Sequence, residues 1–408
     1  MSVGDWREVR IGEVISFNPS ESLKKGEIVK KIAMEQLEPF TRKIANYELS
    51  QFTGGSKFRN GDTLLARITP CLENGKTAYV NILDDNEVAF GSTEFIVMRK
   101  KEKITDDMFV YYLAISPDFR NKAIQSMTGT SGRQRVQQDV LQSHKIILPP
   151  LHEQKAIAAT LSVLDDMIEL NNQINKTLEE MAQAIFKSWF VDFEPFKDGE
   201  FEESELGLIP KGWRVGVLGD IAFINTETIN PQNFPETFFE HFSIPLFDEG
   251  KFSAFEKGEV IKSNKYVIDS SCILFSKLNP QFKRVFRPFC KTSKAICSTE
   301  FMVYKAKKPI YNNYIYSVLC SGGFYQFVMQ NVTGTTNSRQ RAIPKNTLNF
   351  KMLIPDENAL SSYNQIISGI FNVMQRIPED NKLLSSIRDT LLPKLMNGEI
   401  RVPLEEVV

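Results

Sequence analysis

The strongest constraint on this 408-residue chain is an internal duplication. Trp6-Arg7 followed by Gly12-Glu13-Val14 returns 207 residues later as Trp213-Arg214 followed by Gly219-Asp220-Ile221. Ser92-Thr93-Glu94-Phe95 returns unchanged as Ser298-Thr299-Glu300-Phe301, at an offset of 206. Thr128-Gly129-Thr130 with Arg133-Gln134-Arg135 returns as Thr333-Gly334-Thr335 with Arg339-Gln340-Arg341, and Leu148-Pro149 is echoed by Ile354-Pro355. Four landmarks in one order at nearly one offset are not coincidence among short motifs. A unit of about 200 residues is far longer than a solenoid repeat and long enough to bury a core of its own. Two such units imply a pseudo-two-fold molecule, an internal dimer on one chain.

The net charge of −1 hides an alternation that follows the duplication. Residues 1–150 carry 21 basic and 19 acidic side chains, and residues 151–210 carry 4 and 13. Residues 211–355 carry 19 and 10, and residues 356–408 carry 5 and 8. Each basic block is followed by an acidic one. A basic block is a candidate polyanion-binding surface, and the third block, at +9, makes that case better than the first.

Within each copy, short apolar runs read as strands: Thr63–Ile68, Phe95–Met98 and Lys145–Leu148, echoed by Ile273–Lys277, Phe301–Tyr304 and Asn349–Ile354. Asp107–Ile115 and Asp118–Met127 read as helices separated by Pro117, and Tyr311–Cys320 repeats the first of them. This mixture predicts an α+β module. After each closing proline a long helix follows. Ile157, Leu161, Leu164, Ile168, Leu178 and Ile185 step by fours and threes, a coiled-coil spacing, over a helix expected at Leu151–Phe190. The duplicated seam falls on Tyr363, Ile367, Ile370, Met374, Leu384 and Leu391, with Asn175 and Asn381 as matching polar seam positions. Pro378 predicts a kink or a restart in the second helix. The expected layout is a first domain over 1–150, a helix over 151–193 and a linker over 194–212. A second domain over 213–355 and a second helix with tail over 356–408 complete it. Two unrelated amphipathic helices, each packed on its own domain, remain the alternative to a shared seam.

The catalytic signatures are missing. No P-loop, His-Glu-x-x-His or Gly-x-Ser-x-Gly occurs, and three scattered histidines argue against a histidine metal site. Asn279-Pro280-Gln281-Phe282 matches the Asn-Pro-Pro-Phe/Tyr element of amino-methyltransferases only in part, lacking the second proline and any glycine-rich turn. It reads as a strand-ending turn. Five cysteines in no metal-like spacing suit reduced thiols. No basic start with an apolar stretch behind it and no long apolar run are visible, so a cytoplasmic protein with no membrane role is expected.

The duplicated polar element supplies candidate DNA contacts. Thr128, Thr130, Arg133, Gln134 and Arg135, with Thr333, Thr335, Arg339, Gln340 and Arg341, place hydroxyls, amides and guanidinium groups on a glycine-containing loop. Arg can bridge guanine O6 and N7, Gln can pair with adenine, and Thr suits phosphates. Arg67, Lys76, Lys277, Lys283, Arg284 and Arg287 are further cations beside strand ends. For any one of these residues, bracing of the loop is the competing explanation. The run Phe282–Arg287 reads equally well as core aromatics with solvated charges between. Glu94 and Glu300, each just before a strand, are accounted for by pairing with a nearby Arg or Lys.

Three strings then resemble a known family. Leu148-Pro149-Pro150-Leu151-His152-Glu153-Gln154-Lys155-Ala156-Ile157 is similar to the entry into the first spacer helix of the specificity subunits of type I restriction-modification systems. Ala184-Ile185-Phe186-Lys187-Ser188-Trp189-Phe190-Val191-Asp192-Phe193 and Glu205-Leu206-Gly207-Leu208-Ile209-Pro210-Lys211-Gly212-Trp213 resemble that family's central bridge. Leu391-Leu392-Pro393-Lys394-Leu395-Met396-Asn397-Gly398-Glu399-Ile400 resembles its C-terminal end.

The resemblance covers nearly the whole chain. It implies two tandem α+β target-recognition domains held apart by long antiparallel coiled-coil helices. Each domain would read half of a bipartite double-stranded DNA site, with an unread gap set by the helices. Modification subunits would dock on the helices and methylate adenine from S-adenosylmethionine. Restriction subunits would bring ATP-dependent, magnesium-assisted cleavage. This chain would hold no cofactor and no catalytic site. A stand-alone DNA methyltransferase or nuclease, and a duplicated coiled-coil interaction protein without a DNA role, are the rival readings.

Overall fold

The computed structural model describes residues 6–130, 132–333 and 340–403. The chain divides into two compact units, Met1–Glu169 with Leu384–Val408 and Leu170–Leu383.

The first unit contains two four-stranded sheets. One runs in the order Ile15–Phe17, Phe95–Lys100, Thr63–Ala66, Thr77–Tyr79, with all neighbours antiparallel. Thr63–Ala66 is buried at every residue, which is why it reads as an unbroken apolar run instead of an alternating one. The other sheet runs Glu48–Gln51, Ile28–Ile32, Ala89–Gly91, Ser56–Phe58, with Ile28–Ile32 parallel to Ala89–Gly91. Arg7–Arg10 pairs antiparallel with Lys145–Leu148 and closes the unit's globular part. Helix Asp107–Ile115 starts where the Asp106 carboxylate accepts from the Phe109 amide at 3.0 Å. Pro117 opens the next helix, Pro117–Gln125, at a first-turn position where no amide hydrogen is needed. The helices and the first of these sheets share a core in which Phe109, Tyr111, Phe119 and Leu141 meet Ile157 and Leu161 of one long helix and Leu392 and Leu395 of the other, and the second sheet packs Ile32, Phe58 and Ala89 in a core of its own.

The second unit repeats the plan. Ala222–Asn225, Phe301–Ala306, Ile273–Ser276 and Val285–Phe286 form one antiparallel sheet. The other has five strands, and Phe238–Phe242 runs parallel to Ala295–Ser298 as Ile28–Ile32 does to Ala89–Gly91. Arg214–Val217 pairs with Lys351–Ile354, the counterpart of the closing pair in the first unit.

Both long helices, Leu151–Phe190 and Glu357–Met396, are 40 residues and contribute to both units. Each is about 60 Å long at about 1.5 Å per residue. In the first unit their segments run antiparallel. Arg388 Nη1 donates to Asp165 Oδ1 at 2.7 Å, and both side chains are buried. In the second unit they also run antiparallel: Asn171 Nδ2 donates to Asn381 Oδ1 and Asn381 Nδ2 to Asn172 Oδ1, each at 2.8 Å. Asn175 instead bonds Glu179 on its own helix, because opposed residues in an antiparallel pair are not those related by the duplication.

The second helix runs through Pro378 as one element, so of the kink or restart expected there the restart does not occur. Proline removes one helical hydrogen bond and crowds the preceding turn, at a cost of about 3 kcal/mol or more. Flanking contacts within the second unit offset that loss. Ile377 and Glu379 are both buried, and the Glu379 carboxylate accepts from the Ser253 amide at 3.1 Å and from Lys291 Nζ.

Candidate nucleic-acid interface

In the first unit, the Thr-Gly-Thr element is the tip of a hairpin. The Thr128 and Arg135 backbones bond each other, N to O, at 3.0 and 2.9 Å. Gly129 has φ +133°, and a Cβ there would come within 2.9 Å of the Arg133 carbonyl, so only glycine turns this corner without a clash. The hairpin is stitched to the end of the central strand: the Val136 amide donates to the Arg67 carbonyl, and the Thr69 amide to the Gln134 carbonyl.

The Arg135 guanidinium donates from Nε and Nη2 to both oxygens of Glu94, at 2.6 to 3.0 Å. That hydrogen bonding holds the Glu94 carboxyl below its usual range and raises the arginine. Arg67 Nε lies 4.0 Å from the same carboxylate. Thr130 and Arg133 are exposed, and no side-chain partner engages either among the described residues. Thr128 Oγ1 accepts from Gln137 Nε2 at 2.6 Å, and Lys76 Nζ donates to the Met34 carbonyl at 2.8 Å. Gln134 is half-buried.

The second unit uses the same stitches. Arg341 pairs with Glu300 at 3.1 and 3.2 Å, the Ala342 amide donates to the Lys277 carbonyl, and the Asn279 amide to the Gln340 carbonyl. Thr333 Oγ1 donates to the Arg341 carbonyl at 3.2 Å. Lys277 takes the place of Arg67. Thr335 and Arg339 lie outside the described residues.

The remaining cations are engaged in different ways. Lys283 Nζ donates to the Cys320 carbonyl. Arg284 makes a bidentate pair with Asp248 at 2.6 and 2.9 Å and lies over the Phe282 ring. Arg287 points inward: its Nη1 donates to Asn313 at 2.9 Å and burial pushes its guanidinium below the usual range. Val285 and Phe286 between them are a buried two-residue edge strand, and Phe282 ahead of them is exposed. Asn279-Pro280-Gln281-Phe282 is a turn in which the Phe282 amide donates to the Asn279 carbonyl at 3.0 Å. Among the described residues, no group of three or more His, Cys, Asp or Glu side chains is placed to hold a metal ion. No helix among them is long and apolar enough to cross a membrane.

Comparison with known proteins places this geometry. Residues 4–180 match the model of the type I restriction modification DNA specificity domain. The chain is 26% identical to the HindI specificity subunit of Haemophilus influenzae, over 98% of this chain and 100% of that protein. It is 29% identical to the MjaIX specificity subunit of Methanocaldococcus jannaschii, over 72% of this chain and 69% of that protein. A type I S subunit from M. genitalium shares the fold at 15% identity, with a TM-score of 0.59 over 97% of each chain. The chain is thus similar, along most of its length, to type I restriction-modification specificity subunits.

In this chain, the strings that carry the resemblance have physical work. Gln154 is buried, and its side chain accepts from the Asp106 amide at 3.0 Å and donates to the Ile104 and Pro149 carbonyls. It thereby satisfies loop groups where the long helix starts. In the central bridge, the Phe190 ring packs 4.8 Å from Tyr363, 4.7 Å from Tyr314 and 5.8 Å from Trp213, and Phe196 meets Trp213 edge-on at 5.0 Å. At the C-terminal end, Arg401 lies over the Trp6 ring and reaches Glu153, which also accepts from Trp6 Nε1 at 2.9 Å.

Every seam residue read from the sequence (Ile157, Leu161, Leu164, Ile168, Leu178, Ile185, Ile367, Ile370, Met374, Leu384 and Leu391) is buried or half-buried. The seam reading missed a second stripe. Val163, Met167, Leu170, Ile174 and Met181 keep heptad steps along the first helix yet are 38 to 57% exposed, and Ile366, Val373 and Ile387 do the same on the second. Its signal was the same three-four spacing running one strip over from the buried seam.

Proposed function

We propose that this chain gives a type I restriction-modification complex its DNA address and performs none of the chemistry itself. Each unit reads one half of a bipartite double-stranded target, and the bases between go unread. The observation that carries this reading is the duplicated hairpin, fixed in both units by the same three ties: an arginine–glutamate pair, a strand-end carbonyl and a loop amide. In the first unit that hairpin offers Thr130 and Arg133, exposed and without a side-chain partner among the described residues. Guanidinium and hydroxyl groups on a preset loop suit base edges and phosphates.

The exposed apolar stripes on the two long helices support docking of modification subunits there. A soluble helix seldom leaves so regular a heptad stripe uncovered. S-adenosylmethionine belongs on those modification subunits, and ATP and magnesium on the restriction subunits. The whole assembly acts in the cytoplasm.

The test is a methylation map. This chain is co-expressed with the modification subunit encoded beside it, and host DNA is sequenced by a method that detects methylated adenine. A split motif that appears only with this chain is the expected result. No new methylation from a complex shown to assemble would overturn the reading.

A further inference from the structure

A carboxylate is a costly neighbour for a polyanion, yet each unit keeps one at the base of its hairpin. Glu94 and Arg135 stand 41 residues apart, and so do Glu300 and Arg341. In both units the arginine also bridges the end of the central strand through its backbone, at Ile68 in one and Leu278 in the other. The carboxylate is tied on its own side too. The Glu94 amide donates to Ser92 Oγ at 3.1 Å, as the Glu300 amide does to Ser298 Oγ at 3.2 Å. The Glu94 carbonyl takes the Arg67 amide and the Glu300 carbonyl the Lys277 amide, both at 2.9 Å. The four-residue string Ser-Thr-Glu-Phe, identical in both copies, is therefore a clamp whose working end is the carboxylate. Its partner arginines remain 45 and 47% exposed, and a pair so open to water adds little to stability. Stability alone does not account for the duplication of the pair.

We propose that Glu94 and Glu300 are positioning residues for target recognition: each withholds one arginine from DNA so that it can fix the hairpin that presents the contacting groups. This rests on the reading that the hairpins meet DNA. Two physical pictures then give opposite signs. If charge alone matters, neutralising the glutamate removes a repulsion and frees a cation, so binding tightens and the salt slope steepens by close to one. If position matters, the freed arginine leaves the hairpin without its tie, and binding to the target weakens despite the more favourable charge.

The experiment uses the full chain in complex with its co-expressed modification subunit. Duplex DNA bearing the mapped target is compared with random duplex across a salt series. Glu94→Gln and Glu300→Gln are each expected to weaken target binding about ten-fold, an ordinary coupling between contacting groups. Random-duplex binding and the melting temperature should stay nearly unchanged. The charge-swapped pair Glu94→Arg with Arg135→Glu should recover most of the loss. Arg133→Ala separates the proposal from the reading beneath it. If Arg133→Ala weakens binding while Glu94→Gln leaves it equal or tighter, the positioning role is overturned and the hairpin contact stands. If Arg133→Ala changes neither affinity nor salt slope, the hairpin contact falls, and the positioning role with it.

Discussion

Replacing Arg388 with Met tests how the first unit holds its two helix segments together. Arg388 and Asp165 are 8 and 4% exposed as side chains, and their 2.7 Å contact is supplemented by Tyr112, whose hydroxyl donates to Asp165 Oδ2 at 2.7 Å. Without the guanidinium, Asp165 is left buried with one neutral donor. Breaking a buried pair from one side costs about 3–5 kcal/mol. For a unit of this size each kcal/mol moves the melting temperature by about 2–4 °C, so the transition of the first unit should fall by about 6–20 °C. The double variant Asp165→Leu with Arg388→Met removes both charges and should return to within about 1 kcal/mol of the parent, because a well-packed apolar pair avoids the desolvation penalty. Calorimetry on the purified chain measures both. A single variant that loses less than about 1 kcal/mol, or a double variant as unstable as the single one, would refute the reasoning.

Two other outcomes follow from particular side chains. Met167→Lys with Leu170→Lys, on the exposed stripe, should leave stability within about 0.5 kcal/mol and sharply reduce co-purification of the modification subunit; undiminished co-purification would remove that surface from the docking site. Asp269 is pushed up by burial but pulled down further by hydrogen bonds from Lys305 and Ser271, to about 2. A depressed carboxyl contributes stability that is present above its ordinary value of 3.8 and lost as pH falls toward about 2. With Asp269 55% exposed the contribution is below about 1 kcal/mol, and Lys305→Met should flatten the acid limb of unfolding by that much. An unchanged limb would show that the pair does not titrate with folding.

What could be read in the sequence follows burial. Thr63–Ala66 and Phe95–Lys100 were legible because nearly all of their residues sit in the core and leave an apolar run. Ile28–Ile32 and Phe238–Phe242 were not, because each buries a charge that breaks the pattern. Lys30 is buried between Asp84 and Glu87, at 3.0 and 2.8 Å. Glu240 is buried under the Lys291 and Thr292 amides and the Ser253 hydroxyl. A sequence does not announce which charge will find partners from 50 or more residues away. The hairpins were legible as polar, duplicated and glycine-bearing. The division of labour within them was not: Arg135 and Arg341 have the same chemistry as Arg133, and only the position of Glu94 and Glu300 separates bracing from presenting. Pro378 does not restart the helix because helix propensity is local and the Glu379 contacts that support that turn are not.

The first unit is assembled from two segments separated by the whole of the second, and this sets an order of events during synthesis. Leu170–Leu383 is one continuous stretch and can complete itself as it leaves the ribosome. Ile157 and Leu161 emerge first, but Leu392 and Leu395 of the same core follow more than 200 residues later. At about 5–20 residues per second the wait lasts roughly ten to forty seconds. Throughout it, an apolar helix face stands open on a nascent chain, available to chaperones or to a partner that arrives before Leu392 and Leu395 do.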